Sequence, residues 1–207
     1  MRRCVIFGAA PTALCATVFP GDFVIAADGG SARLGKTPVD LVIGDFDSLG
    51  YVPHGGHVIT LPVRKADTDM LAAMREGLKA GCDRFVIYGG LGGRMDHSIA
   101  NIQSLHWLVT QHARGLLVGD VQSALVLGGG DRIRFADTSS GIISLFSLEG
   151  EAEVSLKGLD YPYEGKLSST YPMGVSNAFV GKESSITLSE GILLCIYPTG
   201  SARLLSW

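Results

Sequence analysis

Six aspartates in the first half of the chain stand just beyond short apolar runs. Asp28 follows FVIAA, and Asp45 and Asp47 follow LVIG within LVIGDFDSL. Asp67 and Asp69 lie where the next segment turns into a helical pattern, and Asp96 follows a glycine-rich turn after RFVIY. In a parallel sheet all such loops open at the carboxyl edge of the strands, where ligands bind. Left uncompensated, such a cluster repels itself by on the order of several kcal/mol at protein-like dielectric. A divalent cation resolves the repulsion, and donors that are all oxygen favour Mg²⁺ over zinc or copper. Mg²⁺ held by a few carboxylates usually completes its shell with water and substrate phosphates. Singly, any of the six can equally cap a helix or solvate a turn. Six on one rim exceed that need.

The glycines point the same way. GGLGGRMDH (89–97) places Gly92, Gly93 and Arg94 between a strand and a helix start. Backbone N–H groups there suit an anionic phosphate, and Arg94 can add a bidentate contact. Gly29 and Gly30, after Asp28, form a similar turn. Neither turn matches GxGxxG, and glycine pairs are often only tight turns. GSARLGKT (30–37) fits the P-loop pattern letter for letter. Pro38 and a new strand follow at once, leaving no room for the helix a P-loop opens. Residues 30–36 are instead expected to form a short helix ending at Gly35. The DFDS segment also suits the nucleophile loop of a dehalogenase-type phosphotransferase, or a glycosyltransferase metal loop. Those readings leave Asp28, Asp69 and Asp96 unused. His54 and His57 have ligand-like spacing but sit in a glycine-rich stretch that reads as a solvated turn, and His97 can orient Asp96.

The elements that must position these groups follow from hydrophobic pattern. Near-continuous apolar runs at 3–7, 23–27, 41–44, 57–61, 84–88 and 115–118 read as strands covered on both faces. A helix is expected over 68–80, capped by Asp67 or Thr68, with Leu71, Met74 and Leu78 as its apolar stripe and Gly81 at its end. A second should start near Asp96, burying Ile99, Ile102, Leu105 and Val109. Beyond the glycines at 128–130, short alternating stretches recur about every ten residues, the grammar of a β-sandwich or barrel. The expected organisation is an α/β domain over 1–125 with a parallel sheet, followed by an all-β sandwich over 126–207.

Composition excludes several classes. The 207 residues are 46% hydrophobic and 18% charged, which rules out a disordered chain. A net charge of −3 without a basic stripe argues against nucleic acid as a partner. No apolar run approaches a bilayer span, so no membrane role is expected. The two arginines before CVIFGAAP suggest a signal peptide, but the run reads better as a first buried strand. Cys4, Cys15, Cys82 and Cys195 lack metal-ligand spacing and read as reduced thiols of a cytoplasmic protein.

Taken in order, ADGGSARL (27–34), PVDLVIGDFDSL (38–49), KADTD (65–69) and GGLGGRMDHSIAN (89–101) resemble the motifs of the thiamine pyrophosphokinase family. GLDYPYEG (158–165) and MGVSNAF (173–179) resemble its C-terminal signature. Ala66 stands where that family often has a further acid or polar residue. The resemblance implies an enzyme, working as a homodimer with its active site at the interface, that transfers the pyrophosphoryl group of ATP to the hydroxyl of thiamine, releasing AMP. It implies that Asp45, Asp47 and Asp69 hold Mg²⁺, and that Asp28, Thr68, Arg94 and Asp96 line the nucleotide and reaction site. Ser176 and Asn177 would belong to the thiamine pocket, though as residues they equally suit a polar turn. Asp96 or Asp69 is the candidate proton acceptor, and Phe179 or Tyr171 the candidate aromatic wall for the cationic thiazolium. The alternative enzyme is a dehalogenase-type phosphatase. A sensor that holds its nucleotide without turnover would need fewer carboxylates.

Overall fold

A computed structural model describes residues 2–47, 50–51, 56–201 and 203–206. The chain divides into two units, Met1–Asp120 and Val121–Trp207. The junction thus falls a few residues before the expected 125. The apolar segment β7 (Gln122–Gly128) lies wholly in the second unit, because it pairs antiparallel with a later strand there.

In the first unit, β1 (Arg3–Phe7), β2 (Phe23–Ala27), β3 (Leu41–Gly44), β4 (His57–Thr60), β5 (Arg84–Tyr88) and β6 (Arg114–Val118) form a parallel sheet. Their order is β6-β5-β1-β2-β3-β4. The inner strands are almost wholly buried, as their unbroken apolar runs require. His54 lies outside the described residues, and His57 opens the edge strand β4, exposed.

Helix α1 (Asp69–Lys79) begins at Thr68, whose hydroxyl accepts from Leu71 N at 3.2 Å. Of the expected stripe, the helix buries Met74 fully. Met70, Ala73, Met74 and Gly77 turn inward, while Leu71 and Leu78 are only half-buried. Small residues win because the helix lies close to the sheet: a Cβ at Gly77 would stand 2.5 Å from the Phe85 ring. Helix α2 (Met95–Thr110) likewise buries Asn101, Ser104, Leu105, Leu108 and Val109, leaving Ile99 exposed and Ile102 half-buried. Residues 30–36 do not make an α-helix. A 3₁₀ segment, Asp28–Arg33, occupies that stretch, and Gly35 follows with φ +55°. Between β1 and β2 the chain has no helix or strand; Asp120 accepts from Thr12 Oγ1 (2.5 Å) and Ala13 N (3.1 Å), pinning that segment.

The second unit is all β. Alongside β7 it holds β8 (Arg132–Phe135), β9 (Ile142–Lys157), β10 (Tyr163–Ser168), β11 (Asn177–Ala178), β12 (Ser184–Pro198) and β13 (Arg203–Ser206). The long strand β12 pairs with β7, β8 and β9, and register shifts around Glu190 and Ile192 interrupt its ladder with β9. Such irregularities bend a strand, so one strand can serve two layers. Alternate residues face a core in which the Phe135 ring packs 4.9 Å from Phe179 and 5.2 Å from Tyr197.

Candidate active site

The loops after β1, β2 and β5, the approach to α1 and the start of α2 surround one cavity of about 660 Å³. Gly8, Ala9, Ala10 and Pro11 form one wall, and Gly89, Gly90, Gly92, Gly93 and Arg94 another. Asp28, Lys65, Thr68 and Asp69 complete it. The two glycine-bearing loops are stitched together: Gly8 N donates to Tyr88 O at 2.7 Å, and Ala10 N donates to Gly89 O at 3.0 Å. Each needs the other's missing side chain. A Cβ at Gly8 would lie 2.5 Å from Gly89 O, and one at Gly89 would lie 2.4 Å from Gly8 O. Buried Asn101 holds the turn from below, its Nδ2 donating to Gly90 O at 2.7 Å.

Beside the cavity, Asp28, Asp45 and Asp69 each offer a carboxylate oxygen, and these oxygens lie within 4.8 Å of one another. Local structure explains why these three meet. Gly44 precedes Asp45, and a Cβ there would stand 2.9 Å from the Asp28 Cα, so glycine lets the two loops touch. Phe46 then takes a left-handed backbone (φ +57°) and buries its ring with Ala26 and Val42. That inward ring leaves Asp45 partly buried on one side and Asp47 exposed on the other. Asp47 is therefore exposed and stands apart from these three, while Asp28 is one of them.

Lys65, the lysine of KADTD, is central here. Its Nζ donates to Asp45 Oδ2 at 2.6 Å and lies 3.0 Å from Asp69 Oδ1. The Asp69 oxygen is buried and accepts no well-aligned hydrogen bond. The Lys65 hydrogen bond holds the Asp45 carboxyl below its ordinary value. Burial pushes Asp69 up, against the pull of Lys65, with Asp45 and Asp28 adding to the rise. All-oxygen donors, one of them buried and poorly satisfied, fit a hard divalent cation.

Arg94 and Asp96 form an exposed bidentate pair, Nη2 to Oδ2 at 2.5 Å and Nε to Oδ1 at 3.1 Å. Arg94 pulls the Asp96 carboxyl down to about 2. Arg94 and His97 line the cavity; Asp96 reaches it only through Arg94. Gly29 and Gly30 do not line it either. A Cβ at Gly30 would overlap Phe7 O at 1.9 Å, so this glycine seats the 3₁₀ segment against β1.

In the second unit, a cavity of about 330 Å³ is walled by Leu156, Tyr161, Tyr163, Met173, Val175 and Asn177. Asn177 is buried and fully engaged: Oδ1 accepts from Tyr161 N (3.0 Å) and Ala178 N (2.9 Å), and Nδ2 donates to Tyr161 O (2.8 Å). It builds the wall, with its amide oxygen and one amide N–H already committed to the loop. Ser176 is exposed, with φ +63°. Phe179 is packed into the core, Tyr171 is exposed outside this cavity, and Tyr161 is the exposed ring at its mouth.

Two family models match the chain in succession. Residues 20–118 match the thiamin pyrophosphokinase catalytic domain, and residues 132–193 match the thiamin pyrophosphokinase vitamin B1 binding domain. The chain belongs to the thiamin pyrophosphokinase family. The thiamine pyrophosphokinase of Bacillus subtilis is 27% identical over 188 residues, covering 84% of this chain and 86% of that one. In fold, the chain is similar to the crystal structure of thiamine pyrophosphokinase from Bacillus subtilis, with a TM-score of 0.82 at 22% identity over 96% of this chain and 99% of that one. Thiamin pyrophosphokinase from Candida albicans gives 0.70 at 16% identity, over 95% and 90%. A catalytic module followed by a vitamin-binding module makes this chain an enzyme, a thiamine diphosphokinase. Nothing in these similarities supports a dehalogenase-type phosphatase.

Proposed function

We propose that the first unit binds ATP with Mg²⁺ and that the enzyme moves the pyrophosphoryl group of ATP to thiamine in one in-line step. The observation that carries this reading is the meeting of Asp28, Asp45 and Asp69 beside a cavity walled by glycine turns and Arg94. Asp45 and Asp69, with Asp28, would hold the metal, which neutralises charge on the phosphate oxygens. The N–H groups of the Gly89–Gly93 turn and the Arg94 guanidinium would cradle the triphosphate. Asp96 keeps the guanidinium oriented. The thiamine hydroxyl oxygen bonds to the β-phosphorus while the bond from that phosphorus to the bridging oxygen breaks, and AMP leaves with the bridging oxygen. Such a step asks mainly for positioning and charge neutralisation. A rim carboxylate receives the hydroxyl proton. Asp69 and Asp96 are the two candidates for that role.

Thiamine falls to the second unit. The aromatic walls Tyr161 and Tyr163 suit its cationic ring, with Ser176 at hand and Asn177 shaping the loop. In a homodimer, each second unit would serve the partner's nucleotide cavity. Free cysteines at 4, 15, 82 and 195 suit the reducing cytoplasm, and no described helix is long and apolar enough to cross a membrane. The deciding experiment is AMP formation from MgATP with and without thiamine, with mass detection of thiamine diphosphate. Thiamine-dependent AMP with matching product is expected; its absence from folded protein would overturn the reading.

A further inference from the structure

Lys65 stands among the carboxylates as a cation already in place. Its Nζ is 2.6 Å from Asp45 Oδ2 and 3.0 Å from Asp69 Oδ1, and its side chain is only 15% exposed. It comes from the segment leading into α1, not from the helix itself, and it also lines the nucleotide cavity. One ammonium against three carboxylates leaves these four groups two formal negative charges, so the site attracts a divalent ion yet has part of its donor set taken. A metal that used those oxygens would compete with the ammonium, because two cations held on the same oxygens repel each other.

We propose that Lys65 is a built-in counter-ion that competes with the divalent metal for Asp45 and Asp69, so that the nucleotide-free site takes up metal weakly and metal enters together with the triphosphate. The nucleotide supplies what free metal lacks, a new partner for the displaced ammonium. The lysine stem is long and flexible and carries three rotatable donors, so it can turn from the carboxylates to phosphate oxygens in the adjoining cavity. Lys65 is thus a positioning residue that couples the two arrivals. This inference rests on the reading of Asp28, Asp45 and Asp69 as the metal-holding group.

The test is direct binding of Mn²⁺ to the full chain, read by electron paramagnetic resonance of the free ion, with and without ATP, for wild type, Lys65→Met and Lys65→Arg. Without nucleotide, Lys65→Met should bind Mn²⁺ about ten-fold tighter than wild type or more, while Lys65→Arg, which keeps the charge, stays near wild type. In EDTA, Lys65→Met should melt below wild type and gain more from added Mn²⁺. Should the methionine variant fail to fold, Lys65→Gln removes the charge and keeps a donor, giving the same comparison. Equal Mn²⁺ affinity in the charged and uncharged variants, with ATP still promoting binding, would overturn the competition alone. No Mn²⁺ binding by any variant, even with ATP, would overturn the metal reading and the competition with it.

Discussion

Gly44 stands closer to Asp28 than any side chain on it would allow: a Cβ there would lie 2.9 Å from the Asp28 Cα. The carboxylate group therefore depends on a residue with no functional group of its own. Gly44→Ala should push the Asp28 loop away, costing about 1–3 kcal/mol of stability in urea melts. Turnover should fall further than stability, by about 10²-fold, because the reacting groups lose register. A variant with full activity would show that Asp28 and Asp45 need not meet.

Asp69→Asn should lower kcat by at least about 10²-fold with an unchanged circular dichroism spectrum. Its effect on stability has a definite sign. Burial first, then Asp45 and Asp28, raises the Asp69 carboxyl in the folded chain against the pull of Lys65. Ionised Asp69 is thus a net cost to the metal-free fold, and that cost fades as pH falls through the raised value toward the ordinary one. In EDTA, wild type should gain stability relative to Asp69→Asn as pH falls from neutrality toward the ordinary carboxylate range. A gap that moves the other way would contradict the burial argument.

Arg94→Ala should cost about 10²-fold in kcat/KM, and Arg94→Lys should restore little of it, since an ammonium lacks the planar fork. Both should melt as wild type does, because the pair with Asp96 is exposed. Asp96, held down to about 2 by Arg94, stays ionised until pH falls through that value. Asp96→Asn should therefore lower activity without shifting an acid limb that lies above about pH 3. A limb that moves in this variant would assign the titration to Asp96.

In the second unit the two residues around one loop should separate structure from binding. Asn177→Ala breaks three hydrogen bonds and should cost about 1–3 kcal/mol in denaturant melts. Tyr161→Leu should leave melting unchanged and raise the KM for thiamine by about 2- to 30-fold, the range of a cation–π contact. The opposite pattern would place thiamine elsewhere.

The strands were legible because a strand covered on both faces must be apolar throughout, and RCVIF, FVIAA and RFVIY leave little choice. The start of α1 was legible too, since Thr68 is a strong cap. Its buried face was legible only in part, at Met74. Large apolar side chains at Leu71 and Leu78 drew attention, yet closeness to the sheet rewards Ala73 and Gly77, and closeness is a tertiary property.

The site divides in the same way. Chain order placed six aspartates on one rim, but which of them meet, Asp28 with Asp45 and Asp69 and not Asp47, turns on which way the Phe46 ring packs. The part of Lys65 is not legible in sequence, because a lysine beside aspartates reads as a solvated charge until two of those aspartates are found around it. Gly8 and Ala9, which follow β1, line the cavity too, and the edge logic that singles out Asp28 applies to them equally.

Gly8 and Gly89 carry a consequence for how the chain can vary. Each forbids a side chain on the other: at Gly89 every atom in conflict belongs to the main chain, whereas at Gly8 the Met70 Cε also stands 2.7 Å away. A crowded side chain can be relieved by trimming its neighbour, but a peptide carbonyl offers nothing to trim. Gly89 therefore has no compensating partner, and a genetic screen for second-site suppressors of an alanine there should return only reversion.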